Sequence, residues 1–150
     1  MDDYWSIVDA IVGRRRGTKA TRYRFFKLLW DLIDDGRRLV ILRAPPGAGK
    51  TEAITAPFLL DLVKGERRWL SLIHVLPTRS LVNSMELRHA EAIEALNIEP
   101  VIVTHDYGEL FTEKVYLDGD VVVTTYDTLL YRFYGMRVPG HHILTPFSKV

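Results

Sequence analysis

Lys50 and Thr51 close the string Ala44-Pro45-Pro46-Gly47-Ala48-Gly49-Lys50-Thr51, and a cation and a hydroxyl at this spacing after glycines are the residues of a phosphate-binding loop. The backbone N–H groups of such a loop converge on an anion, and the dipole of a following helix adds partial positive charge. Lys50 would then reach the outer phosphates of ATP, and the Thr51 hydroxyl would ligate Mg2+. Pro46, Gly47, Ala48, Gly49, Lys50, Thr51 and Glu52 are the candidate ATP-binding residues. Lys50 and Thr51 are the candidate catalytic pair, and Thr51 is the candidate metal ligand. The string departs from G-x-x-x-x-G-K-[ST] at its first position, where Ala44 stands in place of glycine.

The elements that must position this loop follow from hydrophobic patterning. Leu39 to Leu42 is a continuous apolar run, as expected of a strand buried on both faces of a parallel sheet. After Thr51, the positions Ala53, Ile54, Phe58, Leu59, Leu62 and Val63 recur at helical spacing, interrupted by Pro57 and closed by Gly65. An earlier helix is expected over Thr21 to Asp34, with Phe25, Leu28, Leu29 and Leu32 as its buried stripe. Leu70 to Leu76 reads as a second buried strand. The Pro77-Thr78-Arg79 turn and a long helix from Ser80 to Leu96 follow it. Val101 to Thr104 reads as a third strand and Val121 to Thr124 as a fourth, with a helix from Thr125 to Tyr134. Phe111 to Leu117 fits a helix or a strand, and Gly135 to Val150 has no clear period. Strands alternating with helix-length segments predict an α/β fold with a mostly parallel sheet flanked by helices. Ligands of such sheets sit beyond the carboxyl ends of the strands. Three polar strings are expected on that rim: the phosphate loop, Pro77-Thr78-Arg79 and Thr124-Thr125-Tyr126-Asp127.

The chain has 150 residues, 47% hydrophobic and 26% charged, as in an ordinary globular domain. It has no apolar run of membrane-spanning length and no signal peptide, so a cytoplasmic place and no membrane partner are expected. Without cysteine, disulfides and thiolate metal sites are excluded. Glutamine is absent and asparagine occurs only at Asn83 and Asn97, the sparing use of thermolabile residues expected of a thermophilic source. The net charge of +1 conceals a basic segment. Arg14, Arg15, Arg16, Lys19, Arg22, Arg24 and Lys27 stand without an acid between Ala10 and Trp30. Tyr23, Phe25 and Phe26 are interleaved, a pattern suited either to a phosphate backbone with stacked bases or to a solvated arm beside a core stripe. Gly13 and Gly17 bracket the arginines and read as a break.

Taken together, the three strings resemble the first RecA-like motor domain of superfamily 2 helicases, over roughly residues 20–140. Ala44 to Thr51 is similar to motif I in its helicase form. Pro57, six residues after Thr51, stands where many such helicases carry proline. Leu76 to Met85 resembles motif Ia, and Val121 to Gly135 the region of motif Ib. The wording of the last two is nearest the helicase subunit of type I CRISPR interference in its archaeal form. The resemblance implies a basic segment over 1–20 and a partial N-terminal RecA-like P-loop NTPase domain over 21–150, with motifs I, Ia and Ib and no motif II. It implies that Thr78, Arg79, Thr124 and Thr125 contact the phosphates of single-stranded DNA. It also implies partners: a chain with the remaining helicase motifs, or a separate HD nuclease, and a CRISPR surveillance complex.

Hydrolysis needs an acid on magnesium and a carboxylate that orients water, and a second domain usually adds an arginine. No D-E-x-[DH] box occurs in the sequence, and the glutamine of an adenine-reading motif has no counterpart. The expectation is therefore the N-terminal piece of an ATP-dependent DNA helicase that binds ATP and DNA without turning over. A non-catalytic nucleotide- or nucleic-acid-binding module completed by another chain is the alternative. A small-molecule kinase is a third reading, but its lid should carry clustered arginines, and only Arg132 and Arg137 follow Val121. His105-Asp106 reads as a strand end rather than an HD metal pair, and the adjacent His141-His142 is weak evidence for a metal.

Overall fold

A computed structural model describes residues 2–98, 103–106 and 119–134. Two compact units divide the chain: Met1–Trp69 with Glu91–Ile98, and Leu70–Ala90 with Glu99–Val150.

The first unit is built on α1 (Asp2–Arg16), α2 (Arg24–Asp34) and α3 (Lys50–Lys64). α1 buries Tyr4, Trp5, Ile7, Val8 and Ile11, one apolar face at helical spacing. That buried face carries the helix through Gly13 and the arginines, so the expected break falls at Gly17 alone, whose φ is +66°. The Tyr4 hydroxyl donates to the Ala53 carbonyl of α3 at 3.2 Å, and burial pushes the phenol well above its ordinary pKa. The Tyr4 ring also packs on Trp30 at 5.1 Å, and Trp5 packs on Phe26 at 5.2 Å. α2 buries Phe26 and Leu29, while Leu28, expected inside, is exposed.

α3 buries Ala53, Ala56, Phe58, Leu59, Leu60 and Leu62, but Ile54 and Val63 of the expected stripe face solvent. Gly65, at φ +68°, ends the helix with its N–H on the Leu62 carbonyl, and the Glu66 N–H follows onto the Asp61 carbonyl. The fully buried Asp61 carboxylate takes the Arg68 backbone N–H at 2.6 Å and Arg68 Nε at 3.0 Å. Arg68 also reaches Asp34 at 3.1 Å, which ties the end of α2 to the end of α3.

The run Leu39 to Leu42 is not a strand: its backbone is irregular, and Leu39 and Ile41 are 81% and 87% exposed. Apolar residues become a buried strand only where neighbouring strands take their N–H and C=O groups, and none among the described residues does so here.

The second unit holds a parallel sheet in the order β1-β3-β2. β1 is Leu72–Leu76, β2 Val103–Asp106 and β3 Val121–Thr125. β3 is paired on both sides and all five residues are buried, as its Val-Val-Val run predicts. β1 is less buried than its sequence suggests, with Ile73 and Val75 exposed. Of the strand expected over Val101 to Thr104, Val103 and Thr104 lie in β2, and residues 101 and 102 are outside the described residues. α4 (Arg79–Leu96) and α5 (Tyr126–Phe133) match the predicted helices. Phe111 to Leu117 and Gly135 to Val150 lie outside the described residues.

His74 on β1 and the buried His89 on α4 meet at 3.0 Å, Nδ1 to Nε2. With both rings neutral, one donates its N–H to the bare nitrogen of the other. Burial is the main cause that lowers both pKa values, with Arg88 adding to each, and His89 falls to about 3. An unfolded histidine binds its proton near 6.5, so between 6.5 and 3 the unfolded chain holds more protons than the folded one. Stability is therefore full above about pH 6.5 and declines as pH falls, by up to about 1.4 kcal/mol per pH unit for each proton. Urea unfolding at stepped pH should show this loss, and His89→Leu should flatten it. Parallel pH profiles for the two proteins would contradict a neutral buried pair.

Candidate functional site

The phosphate loop lies in the first unit. Gly47 and Gly49 take left-handed φ values of +75° and +86°, and Gly49 is the N-cap of α3. The Ala48 N–H bonds the Pro45 carbonyl at 3.3 Å, and the Gly49 carbonyl accepts the Ala53 N–H at 2.9 Å. Left-handed residues at 47 and 49 suit a tight loop ahead of a helix, and the first turn of α3 adds donors with no carbonyl four residues behind them. The space a side chain would need at Gly49 is taken by Phe26, since a Cβ there would stand 2.9 Å from Phe26 Cζ. The loop thus rests on the aromatic core of its own unit.

Lys50 Nζ donates to the carbonyls of Ala44 and Pro45, both at 2.7 Å. Its ammonium is folded back over the loop. Pro46 and Gly47 are exposed, Ala48, Gly49, Lys50 and Thr51 are half-buried, and Glu52 is buried in the first turn of α3. Beside Gly47 to Gly49 lies a cavity of about 100 Å³ whose walls include Arg16, Lys19 and Tyr23. Two residues of the basic segment therefore stand next to the loop, a placement that linear spacing did not reveal.

Other residues of that segment are engaged elsewhere. Arg14 pairs with Glu94 at 3.0 Å and Lys27 with Asp31 at 2.6 Å. Arg22 meets Asp9 at 3.4 Å and lies 4.9 Å over the Trp5 ring. Asp9 also accepts the Ala20 N–H at 2.9 Å, which pins the link between α1 and α2. Of the interleaved aromatics, Phe26 is core and Tyr23 is exposed, stacked on Phe25 at 6.0 Å.

The other two polar strings lie in the second unit and share one rim, because Leu76 stands opposite Thr125 in the parallel register. The third expected member, the phosphate loop, is not carried on a strand of this sheet. Thr78, Arg79 and Ser80 are exposed at the start of α4. The Thr78 and Ser80 hydroxyls bond each other at 3.2 Å, and the Thr78 carbonyl accepts the Val82 N–H at 3.2 Å. Thr124 and Thr125 are buried. The Thr125 hydroxyl bonds that of Thr128 at 2.9 Å, and Thr124 donates to the Thr125 carbonyl at 3.4 Å. The residue after them, Tyr126, is the exposed one. His105 and Asp106 end β2, and His141 and His142 lie outside the described residues. Among the described residues, no group of three or more His, Cys, Asp or Glu is placed to hold a metal.

Residues 27–143 match the DEAD/DEAH box helicase family, a span that takes in the loop, both rim strings and α5. The chain belongs to this family. Its fold is accordingly a partial RecA-like α/β domain of superfamily 2 type. A relative is the CRISPR-associated helicase Cas3 of Thermoproteus tenax, 32% identical over 111 residues, which is 72% of this chain and 20% of that protein. The helicase-family chain thus spans about a fifth of the length of the curated relative it matches. No solved structure matches it. Among the described residues no helix is long and apolar enough to cross a membrane.

The two loop glycines should respond differently to substitution. Gly47→Ala meets no atom within 4 Å and bears only the left-handed backbone strain, about 1–2 kcal/mol. Gly49→Ala bears the same strain and also pushes against Phe26, for a total of about 3 kcal/mol. Urea midpoints should rank wild type above Gly47→Ala above Gly49→Ala, and Phe26→Leu should lessen the cost of Gly49→Ala relative to its own background. Equal losses at the two glycines would show that Phe26 does not constrain the loop.

Proposed function

We propose that these residues form the ATP cradle and part of the nucleic-acid track of an ATP-driven superfamily 2 DNA helicase of CRISPR-associated type. The observation that carries the reading is the loop itself: two left-handed glycines lead into the first turn of α3, and Lys50 folds over its mouth. A bound triphosphate is stabilised by the donors of that turn and by an ammonium that exchanges two neutral carbonyls for anionic oxygens. Thr51, in the first turn of α3, is the residue to hold Mg2+ with the phosphates. Arg16 and Lys19 beside the loop raise the local positive potential and favour a polyanion.

Thr78 and Arg79 supply phosphate contacts to single-stranded DNA at the start of α4, where backbone N–H groups add to the attraction. Thr125, inside the second unit, shapes the rim from below through its bond to Thr128, and the buried Thr124 donates to the Thr125 carbonyl. Likeness to a CRISPR-associated helicase supports a CRISPR surveillance complex as partner, together with a chain carrying the remaining helicase motifs or a separate HD nuclease. Residues 1–150 contain no D-E-x-[DH] sequence, so by themselves they bind ATP without activating water.

Isothermal titration with ATP and Mg2+ tests the cradle. Removing the Lys50 ammonium takes away charge-assisted bonds worth about 1.5–3 kcal/mol each, so Lys50→Ala should bind at least about tenfold more weakly. Identical isotherms would refute the cradle. A phosphate-release assay on the same chain should give no turnover above the Lys50→Ala control, because absence of an arginine finger alone costs about a thousandfold or more. DNA-stimulated release that vanishes in Lys50→Ala would show that the chain carries its own catalytic carboxylates.

A further inference from the structure

α5 begins where β3 ends, on the rim that also holds Thr78 to Ser80. One stripe of it faces solvent: Tyr126 is 58% exposed, Leu130 48%, Phe133 61%, and Tyr134, in the turn just beyond, 74%. These positions follow the i, i+4, i+7, i+8 spacing of a single helix face. The buried side of α5 is supplied instead by Thr128. The helix and the turn after it expose four rings, with Tyr131 at 41% beside the stripe, and an exposed apolar patch of this kind marks a binding surface.

We propose that Tyr126 and Phe133 are a stacking platform for the bases of single-stranded nucleic acid, with the phosphates held at Thr78, Arg79 and Ser80. This rests on the nucleic-acid reading above and adds the part that grips bases. Three observations favour bases as the occupant. The stripe is mostly rings, on whose faces any base stacks, with Leu130 between them. It starts one residue beyond Thr125, directly across the parallel register from Leu76, so the platform and the phosphate contacts leave neighbouring strands about 4.8 Å apart. Asp127, exposed beside Tyr126, repels phosphate from α5 and turns the backbone of the strand towards Arg79, which leaves the uncharged bases over the rings. Tyr126 and Phe133 lie about 10 Å apart along the helix axis at 1.5 Å per residue, enough for more than one base. The threonines of β3, which resemble phosphate ligands in the sequence, thereby hold the platform from beneath, and the contact passes to the next residue.

Fluorescence anisotropy with a labelled oligothymidylate, at stepped salt, tests this on the full chain. Tyr126→Ala should weaken binding about tenfold with the salt slope unchanged, and Tyr126→Phe should retain affinity, because stacking needs the ring and not the hydroxyl. Arg79→Ala should lower the slope by about 1, the signature of a lost phosphate contact. An abasic oligomer, which loses the stacking on both rings, should bind wild type at least as weakly as the thymidylate binds Tyr126→Ala. Phe133→Ala should show the same kind of loss as Tyr126→Ala and carries the test if the latter unfolds. Wild-type affinity in both alanine variants would overturn the platform and leave the phosphate contacts standing. No binding by wild type at any salt would overturn both. Loss of self-association in sedimentation, with oligomer affinity unchanged, would assign the stripe to a protein contact and overturn the proposal.

Discussion

The close approach of Gly49 to Phe26 is the constraint on which the phosphate loop depends. A left-handed residue is needed to turn the loop into α3, and only the absence of a side chain lets the aromatic core of α1 and α2 fill the space beneath it. Phe26 in turn is held by Trp5 and Phe25, and Trp5 carries Arg22 on its face. The start of α3 is thus seated on the ring packing directly beneath Gly49. At the far end of α3 the buried Asp61 carboxylate performs the corresponding task, holding the chain that leaves the helix through Arg68. Both ends of the helix are anchored by interactions that leave its N-terminal donors facing the loop.

Charge in the first unit is divided between structure and site. A run of seven cations without an acid reads in sequence as one basic surface. In three dimensions Arg14, Arg22 and Lys27 each find a carboxylate, while Arg16 and Lys19 line the cavity by the loop. Exposed pairs of this kind contribute little stability, but they lower the net positive field that a polyanion meets along the rest of the segment.

In the second unit the doubly paired β3 organises the rim. Its five buried residues place Thr125 opposite Leu76, so the turns that follow β1 and β3 emerge together. A hydroxyl on a central strand is buried by its neighbours and must bond internally, which is what Thr125 does with Thr128. The same centrality that makes Thr124 and Thr125 prominent in the sequence withdraws their side chains from solvent, and the residues just past the strand ends carry the exposed groups.

Local chemistry determined much of this protein from sequence alone. The glycines at 47 and 49, the cation at 50, the helix stop at Gly65 and the buried Val121–Thr125 strand all follow from backbone freedom and apolar runs, which depend on near neighbours in the chain. Tertiary structure decided what depends on distant partners. Leu39 to Leu42 has the composition of a buried strand but remains irregular, because a strand exists only where another pairs with it. Arg16 and Lys19 became neighbours of the loop because α1 packs on α3, and the α5 rings are exposed because Thr128 takes the inward side. Periodicity shows that a helix has faces; which face is buried is decided by the surface it meets.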